Sequence, residues 1–541
     1  MKHNLQPNTY NLIPSYVTRI TETLEKGGFE AYLVGGCVRD LVIGRIPKDW
    51  DVTTNATPEQ IIELFPKTVY ENNFGTVAVV FEDNREVSLD TVSSDFAKAT
   101  PDRHETVSPI RYTLDPRPYI VEVTPYRLES AYSDKRHPDA VQFAQTLADD
   151  LKRRDFTVNA LAMDSKGHIT DMFDGLKDIK DKVIRTVGEP VDRFNEDALR
   201  MLRAIRFSCQ LNFAVSYETL DAILKNSSNI QLVSNERIRD EFIKIVDSPN
   251  PAIGVGFLEK TGLLEHIIPE LREGIDCEQG GAHIFDVFTH LVQACQHAAD
   301  KNFAFHVKLA ALFHDIGKPR TKRQPPLVLG KPPLKPTFYG HEVIGARMAQ
   351  KIMDRLKFPK ADTDLVVKLV RYHMFFSDTE QITLSAVRRV IKNMNTGNPT
   401  SLEATRGQNP IWILMNIREC DRVGMKKKEA PYRLRKYHAM IEECLRDPIS
   451  VGQLKIDGNY MIKDMQMKPG PRMGWILHAL LEEVLENPEK NTVEILTARV
   501  TELDTLSDIE LKSLGEKAKE TKEQLDDEEI IKLHAKHGIR K

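Results

Sequence analysis

The stretch VGGCVRDLVIGRIPKDWDVTT, residues 34–54, sets two aspartates one residue apart behind a glycine pair and a short amphipathic run. Residues i and i+2 of a strand share a face, so a strand over WDVTT places Asp49 and Asp51 side by side. Carboxylates that close repel and raise each other's pKa unless a cation lies between them. The spacing admits two readings: a strand edge with two solvated acids, or a divalent-cation site. Gly35 and Gly36 follow the strand-like AYLV and open CVRDLVIG, which has helical spacing. Glycines at such a turn let backbone N–H groups approach a phosphate, and the following helix N-terminus favours anions.

Taken together, the glycines and the acids offer a phosphate cradle and a cation site in one place. Mg²⁺ prefers a few carboxylates plus substrate phosphates, so the combination points to nucleotidyl transfer.

The whole chain bounds what surrounds this site. At 541 residues it predicts three or four domains. Hydrophobic content of 41% and charged content of 28% describe a soluble globular protein. A net charge of −4 excludes a generally basic nucleic-acid coat, so any RNA contact must use local patches such as MKKK at 425–428 or RLRK at 433–436. Cys37, Cys209, Cys277, Cys295, Cys420 and Cys444 are scattered without C-x-x-C spacing, which speaks against a disulfide framework or zinc ribbon. MKHNLQPNTYNLIPSY lacks the apolar core of a signal peptide, and no run reaches membrane-spanning length. A cytoplasmic protein is predicted; the oligomeric state is not legible.

Strand-like runs (AYLVGG, TVAVVF, YIVEVTPY, VQFA) mix with helical ones up to about residue 165, which predicts an α/β domain. From VDRFNEDALRMLRAIRF onward the apolar residues recur at helical spacing, with no internal repeat. The predicted architecture is an α/β head over 1–165 with an insert at about 88–119, then all-α parts: a neck at 166–272, a domain at 283–430 and a tail at 431–541. Polar, glycine- or proline-rich linkers are predicted at 273–283, 324–336 and 393–401.

VGGCVRDLVIGRIPKDWDVTTNATPEQ resembles the head motif of class II CCA-adding enzymes and bacterial poly(A) polymerases, in the polymerase-β-like nucleotidyltransferase superfamily. The resemblance implies that Asp49 and Asp51 hold Mg²⁺ and that Arg39 and Asp40, with Gly35 and Gly36, shape a triphosphate site. The family's third carboxylate lies in a strand like VEVTPYR, which implies Glu122 and leaves Glu86 and Asp90 as rivals. The segment SLDTVSSDFAKATPDRHETVSPIRYTLDPRP before that strand departs from the family pattern. LKRRDFTVNALAMD matches a further motif, implying that Arg153, Arg154, Asp155 and Asn159 contact ribose and triphosphate. Arginine offers forked donors to phosphate, and aspartate accepts from a ribose hydroxyl.

In RFNEDALRMLRAIRF, Leu199, Leu202 and Ile205 form an apolar stripe, with Asp197 and Arg200 on another face. Such a pair can be a plain helical ion pair. It can also read bases: Asp only accepts and Arg only donates, which matches cytosine and adenine and opposes guanine and uracil. The resemblance implies the second role, selecting CTP and ATP without a nucleic-acid template. Downstream, ERIRDEFIKI resembles a motif whose Glu236 and Arg239 brace the neck helices.

A second chemistry follows. LAALFHDIGKP places His314 and Asp315 together at an apolar helix, with His290 in DVFTHLVQA, His341 in GHE, His373 in RYHMFF and Asp421 in RECDRVG. The set resembles an HD-domain metal site, implying His290, His314, Asp315 and Asp421 as ligands with His341 and His373 nearby. Mixed imidazole and carboxylate ligands suit a divalent transition metal better than magnesium. The implied activity is that of a phosphohydrolase or 2′,3′-cyclic phosphodiesterase.

The implied function is addition of C, C and A to tRNA 3′ ends from CTP and ATP. The alternatives are a poly(A) polymerase, a partial enzyme adding only CC or only A, and an HD phosphohydrolase whose head is a non-catalytic RNA-binding module.

Overall fold

The computed structural model describes residues 2–4, 12–71, 75–81, 119–128, 142–280, 283–324, 335–376, 383–395, 409–425, 431–446 and 451–517. They form two units, Met1–Arg200 with Phe213–Ile223, and Met201–Asn212 with Leu224–Lys541. The α/β head followed by helical parts is the observed architecture.

The first unit is built on an eight-stranded sheet. Its strands are β1 (Lys2–Asn4), β2 (Ala31–Val34), β3 (Asp51–Thr54), β4 (Thr68–Glu71), β5 (Thr76–Phe81) and β6 (Tyr119–Pro125), joined after the small β7–β8 pair (Arg127–Leu128, Gln142–Phe143) by β9 (Leu161–Met163) and β10 (His168–Asp171). The order across the sheet is β1-β10-β9-β2-β3-β6-β5-β4. The predicted boundary at 165 therefore falls inside the sheet, because the β9–β10 hairpin crosses it.

Alternation decides which face is core. In β6, Val121 and Val123 are buried while Ile120 and Glu122 are exposed. The parallel β3–β6 register pairs Val52 with Val123 and Asp51 with Glu122. The valines thus line the core, and the acids share the other face. Tyr126, Leu147, Leu151 and Ala162 pack with Val34 into one buried cluster, and the Tyr126 hydroxyl donates to Glu30 at 2.7 Å.

In the Leu199–Leu211 helix the apolar stripe behaves as its spacing predicts, with Leu202 and Ile205 fully buried. Arg206 and Glu241, both buried, pair at 2.9 Å and tie this helix to Asn235–Val246. The bracing expected of Glu236 and Arg239 thus rests largely on their neighbours. Glu236 is exposed, and Arg239 pairs with Asp240 and donates to the Lys357 carbonyl. Residues 273–280 are not a linker: Phe288 N donates to Gly274 O at 3.0 Å and Val287 N to Cys277 O at 3.1 Å. Glu86, Asp90, most of the insert and most of the segments at 324–336 and 393–401 lie outside the described residues. Helices continue through Pro471–Glu486, Val493–Leu503 and Asp508–Lys517. Among the described residues no helix is long and apolar enough to cross a membrane.

Candidate active sites in the head and the HD cluster

Gly35 makes the head site possible. Its φ of 77° and ψ of −132° suit glycine alone, and a Cβ there would come 3.0 Å from Arg154 Nη1 and 3.8 Å from Asp51 Oδ2. The turn from β2 into the Gly36–Ile43 helix therefore brings bare backbone against a guanidinium and a carboxylate.

Asp51 opens β3, but Asp49 lies before the strand, in an exposed bend. The two acids are not neighbours on one strand face, because Pro47 and the bend delay strand pairing until Asp51. They still interact. Burial pushes the Asp51 carboxyl above its ordinary value, Arg154 opposes that, and Asp49 adds to the rise. Glu122 stands in register beside Asp51. A divalent cation would relieve this repulsion, so the donor set fits magnesium chemistry.

Around the acids runs a basic network. Asp150, fully buried, accepts from Arg153 Nη2 at 2.6 Å and Arg154 Nη2 at 3.0 Å. Burial alone would raise the Asp150 carboxyl, but Arg154 and Arg153 hold it below the usual range. Arg127 joins them: burial and the neighbouring Arg153 lower its pKa to about 10. The Nε atoms of Arg127 and Arg154 are buried without a hydrogen-bond partner. Clustered guanidiniums with spare buried donors are the signature of an anion site. A second chain of bonds fixes the remaining predicted residues. Arg39 donates to Asp40 Oδ1 at 2.9 Å and to Asn159 Oδ1 at 2.7 Å, and Asn159 donates to Asp155 Oδ1 at 3.2 Å.

Asp197 and Arg200 do not share one helix. The Pro190–Glu196 helix ends first, and Asp197 sits extended, accepting from Leu199 N at 3.0 Å. Arg200 pairs with Glu196 and reaches the carbonyls of Arg193 at 3.3 Å and Arg153 at 3.4 Å. The candidate base reader is thus bonded to the arginine segment of the candidate anion site. Sequence reading missed Asp150 and Glu196. The signal for Asp150 was its spacing of three and four residues from the two arginines.

The HD residues converge completely. His314 and Asp315 lie just past the Phe305–Phe313 helix, in a turn where Gly317 lets the His341–Arg355 helix approach; a Cβ on Gly317 would come 2.3 Å from the His341 carbonyl. His290 Nε2 lies 3.1 Å from His314 Nε2, and His314 Nε2 lies 3.4 Å from both Asp315 Oδ2 and Asp421 Oδ1. Asp315 Oδ1 faces the other way, 3.1 Å from His341 Nε2 and 3.5 Å from His373 Nε2. His341 and His373 thus lie near the predicted ligands, as expected, and form with Asp315 a second group that could hold a metal ion. Among the described residues, three or more ligating atoms gather within 4.8 Å only in these two groups.

Each imidazole is oriented from behind. Nδ1 of His290, His314, His341 and His373 faces the carbonyls of Val423, Ala311, Phe338 and Val370 at 3.1, 2.8, 2.7 and 2.7 Å. Carbonyls only accept, so Nδ1 carries the hydrogen and each Nε2 turns a lone pair inward. Neither Asp315 oxygen has a partner in hydrogen-bond geometry, although Lys318 Nζ forms an ion pair with Oδ2 at 2.5 Å. Lone pairs facing lone pairs in a dry core demand a cation. Without one, a proton serves: burial lowers the His314 imidazole, but Asp315 and Asp421 outweigh it and hold it up at about 10. Burial and His314 together push His290 down to about 4.

The chain matches three family models in sequence order: the poly A polymerase head domain over 31–110 and 92–185, the "Probable RNA and SrmB- binding site of polymerase A" over 212–275, and the HD domain over 280–405. It is 43% identical over 253 residues to the CCA-adding enzyme of Ligilactobacillus salivarius, covering 47% of this chain and 52% of that one. The CCA-adding enzyme of a Geobacillus strain is 40% identical over 255 residues, covering 47% and 54%. The matched part thus spans about half the length of these curated relatives. The fold is similar to the crystal structure of the Bacillus stearothermophilus CCA-adding enzyme in complex with CTP, at TM-score 0.61 and 24% identity over 92% of this chain and 98% of that one. It is also similar to the Thermotoga maritima CCA-adding enzyme complexed with tRNA, at TM-score 0.52 and 16% identity over 93% and 99%. The chain thus carries the poly A polymerase head domain, the probable RNA-binding region of polymerase A and the HD domain in that order, and is similar over about half its length to CCA-adding enzymes.

Proposed function

We propose that the chain is a tRNA nucleotidyltransferase that adds C, C and A from CTP and ATP, the activity its relatives are named for. The observation that carries this reading is the register of Asp51 beside Glu122, facing the Gly35 turn and Arg154. Asp49, Asp51 and Glu122 would hold magnesium, which when bound activates the attacking hydroxyl and stabilises the leaving pyrophosphate. The chain's own groups bind and orient. Arg127, Arg153 and Arg154 neutralise the triphosphate, and the backbone at Gly35 and Gly36 admits it closely. Arg39 and Asp40 shape that cradle, Asn159 and Asp155 take the ribose, and Asp197 with Arg200 reads the base edge. In transfer, the RNA 3′ hydroxyl gives up its proton to solvent as its oxygen bonds to the α-phosphorus, the bond to the β-phosphate oxygen breaks, and pyrophosphate departs. Incubating a tRNA shortened at its 3′ end with each nucleotide singly and in mixture tests the reading. Ordered addition of C, C and A supports it, long A tails favour the poly(A) alternative, and addition of CC alone or of A alone marks a partial enzyme.

A second site has its own observation: the buried Asp315 carboxylate, paired with Lys318 and set amid inward imidazole lone pairs. His290, His314, Asp315 and Asp421 would hold one transition-metal ion, and Asp315, His341 and His373 a second. Such ions supply a hydroxide and polarise a phosphoryl oxygen. The reaction is hydrolysis of a 2′,3′-cyclic phosphate: a water oxygen bonds to phosphorus, one ester P–O bond breaks, and the freed ribose oxygen takes a proton.

A further inference from the structure

A cleft of about 580 Å³ lies beside the histidine–aspartate cluster, lined by Asp276, Glu278, Gln279, His283, Ile284 and Phe285 among others. Its volume is that of a small-molecule site. Two contacts join it to the cluster. Gln279, only 5% exposed, accepts from Lys318 at 2.7 Å, and Lys318 pairs with Asp315. His283 stands edge-on to His290, ring centroids 5.5 Å apart.

The wall is bonded to the ligands it adjoins. Ile284 N donates to Gly424 O at 3.1 Å, and His283 bridges Met425. That turn follows Asp421 and contains Val423, whose carbonyl orients His290. Across the cleft, Asp286 accepts from the backbone N–H groups of Asp276 and Thr289, both at 2.8 Å, so its carboxylate is a brace. Asp276 and Glu278 are exposed at the rim. They only accept, so they welcome hydroxyl and amino donors and repel a polyphosphate tail. Ile284, 59% exposed, and Phe285 add an apolar lip against which a planar ring can rest.

We propose that this cleft is the subsite for the nucleoside of a phosphate ester whose phosphorus sits at the cluster, with Asp276 and Glu278 accepting from ribose and base. The proposal rests on the hydrolase reading above. It makes the preferred substrate a compact nucleoside monophosphate ester rather than pyrophosphate or a nucleoside triphosphate.

The test uses the full chain in manganese buffer, with 2′,3′-cyclic AMP and p-nitrophenyl phosphate as probes. In the double variant Asp276→Lys with Glu278→Lys, kcat/KM for cyclic AMP should fall at least about tenfold, while that for p-nitrophenyl phosphate stays within about twofold. Bound metal should stay at the wild-type level. Glu278→Gln should show the same split in smaller degree. Equal loss on both probes, or loss on neither, overturns the subsite. If wild type hydrolyses neither probe, the hydrolase reading has failed, and equilibrium dialysis of adenosine 2′-monophosphate against manganese-loaded protein decides the subsite. Binding that the double variant weakens about tenfold supports it; binding equal in both proteins, or none in wild type, overturns it.

Discussion

In the HD cluster, His290, His314, Asp315, His341, His373 and Asp421 are all buried, and their ligating atoms gather before any ion arrives. In the head, Asp49 and Glu122 are exposed and Asp51 is half-buried. The difference follows from when desolvation is paid for. The HD ligands lose water when the helices pack, so the folded protein itself needs a cation or proton there. Asp49 and Glu122 stay hydrated and Asp51 is only partly desolvated, and what is preorganised around them is the basic network, on Asp150, Asn159 and the Gly35 turn. In the proposed reading, one site waits for metal alone and the other for metal with nucleotide.

The strongest way to break that contrast is to neutralise the head acids. Asp49→Asn with Asp51→Asn should lower nucleotide incorporation into shortened tRNA by about 10⁴-fold or more, with no loss of cyclic-phosphate hydrolysis. Undiminished incorporation would remove the basis of the nucleotidyltransferase reading. The reciprocal variant is Asp315→Asn, which touches both ligand groups. It should weaken metal retention by about a hundredfold or more and abolish cyclic-phosphate hydrolysis, while incorporation stays near wild type. Mass spectrometry of the dialysed protein reads the first effect. Full metal content in that variant would show that Asp315 does not bridge.

Arg200 sharpens the contrast inside the head. Its guanidinium is bonded to the Arg153 carbonyl, so the proposed base reader and the proposed phosphate site share a frame. Arg200→Ala should reduce the preference for CTP and ATP over GTP and UTP by about thirtyfold, measured as ratios of kcat/KM. Faithful C and A addition by that variant would reduce the pair to a structural tie.

Much of this was legible because chemistry and spacing coincide. The glycine pair marked a turn, VEVTPYR alternates, and the HD histidines recur in apolar runs, so that with the resemblance these motifs carry both candidate sites could be named from the sequence. Three things were not legible, each because tertiary packing decided it. The bend at Asp49 depends on where β3 begins to pair with β6, at Asp51. The sharing of Asp315 between two candidate ligand groups depends on two helices approaching from opposite sides. The structured run at 273–280 looked like a linker because Gly, Asp and Gln signal loops, whereas its hydrogen bonds to 285–289 turn it into a wall.

The smallest activity effect and the most discriminating pH test belong to Asp150, which touches no substrate in the proposed site and holds two arginines that would. Asp150→Asn leaves those guanidiniums underpaired, which should raise the KM for CTP about threefold and destabilise the fold by about 3 kcal/mol near neutrality. The sign of its pH dependence follows from its depressed pKa. Stability from the ionised carboxylate is fully present above the unfolded value of about 3.9 and is lost as pH falls through the lower folded value. Asparagine imitates the protonated acid. The gap between wild type and variant in urea denaturation should therefore hold constant from about pH 7 to pH 5 and close below about pH 4. A gap that persists undiminished at about pH 3 would mean that Asp150 acts by shape and hydrogen bonding rather than by charge, and the basic network would then need another anchor.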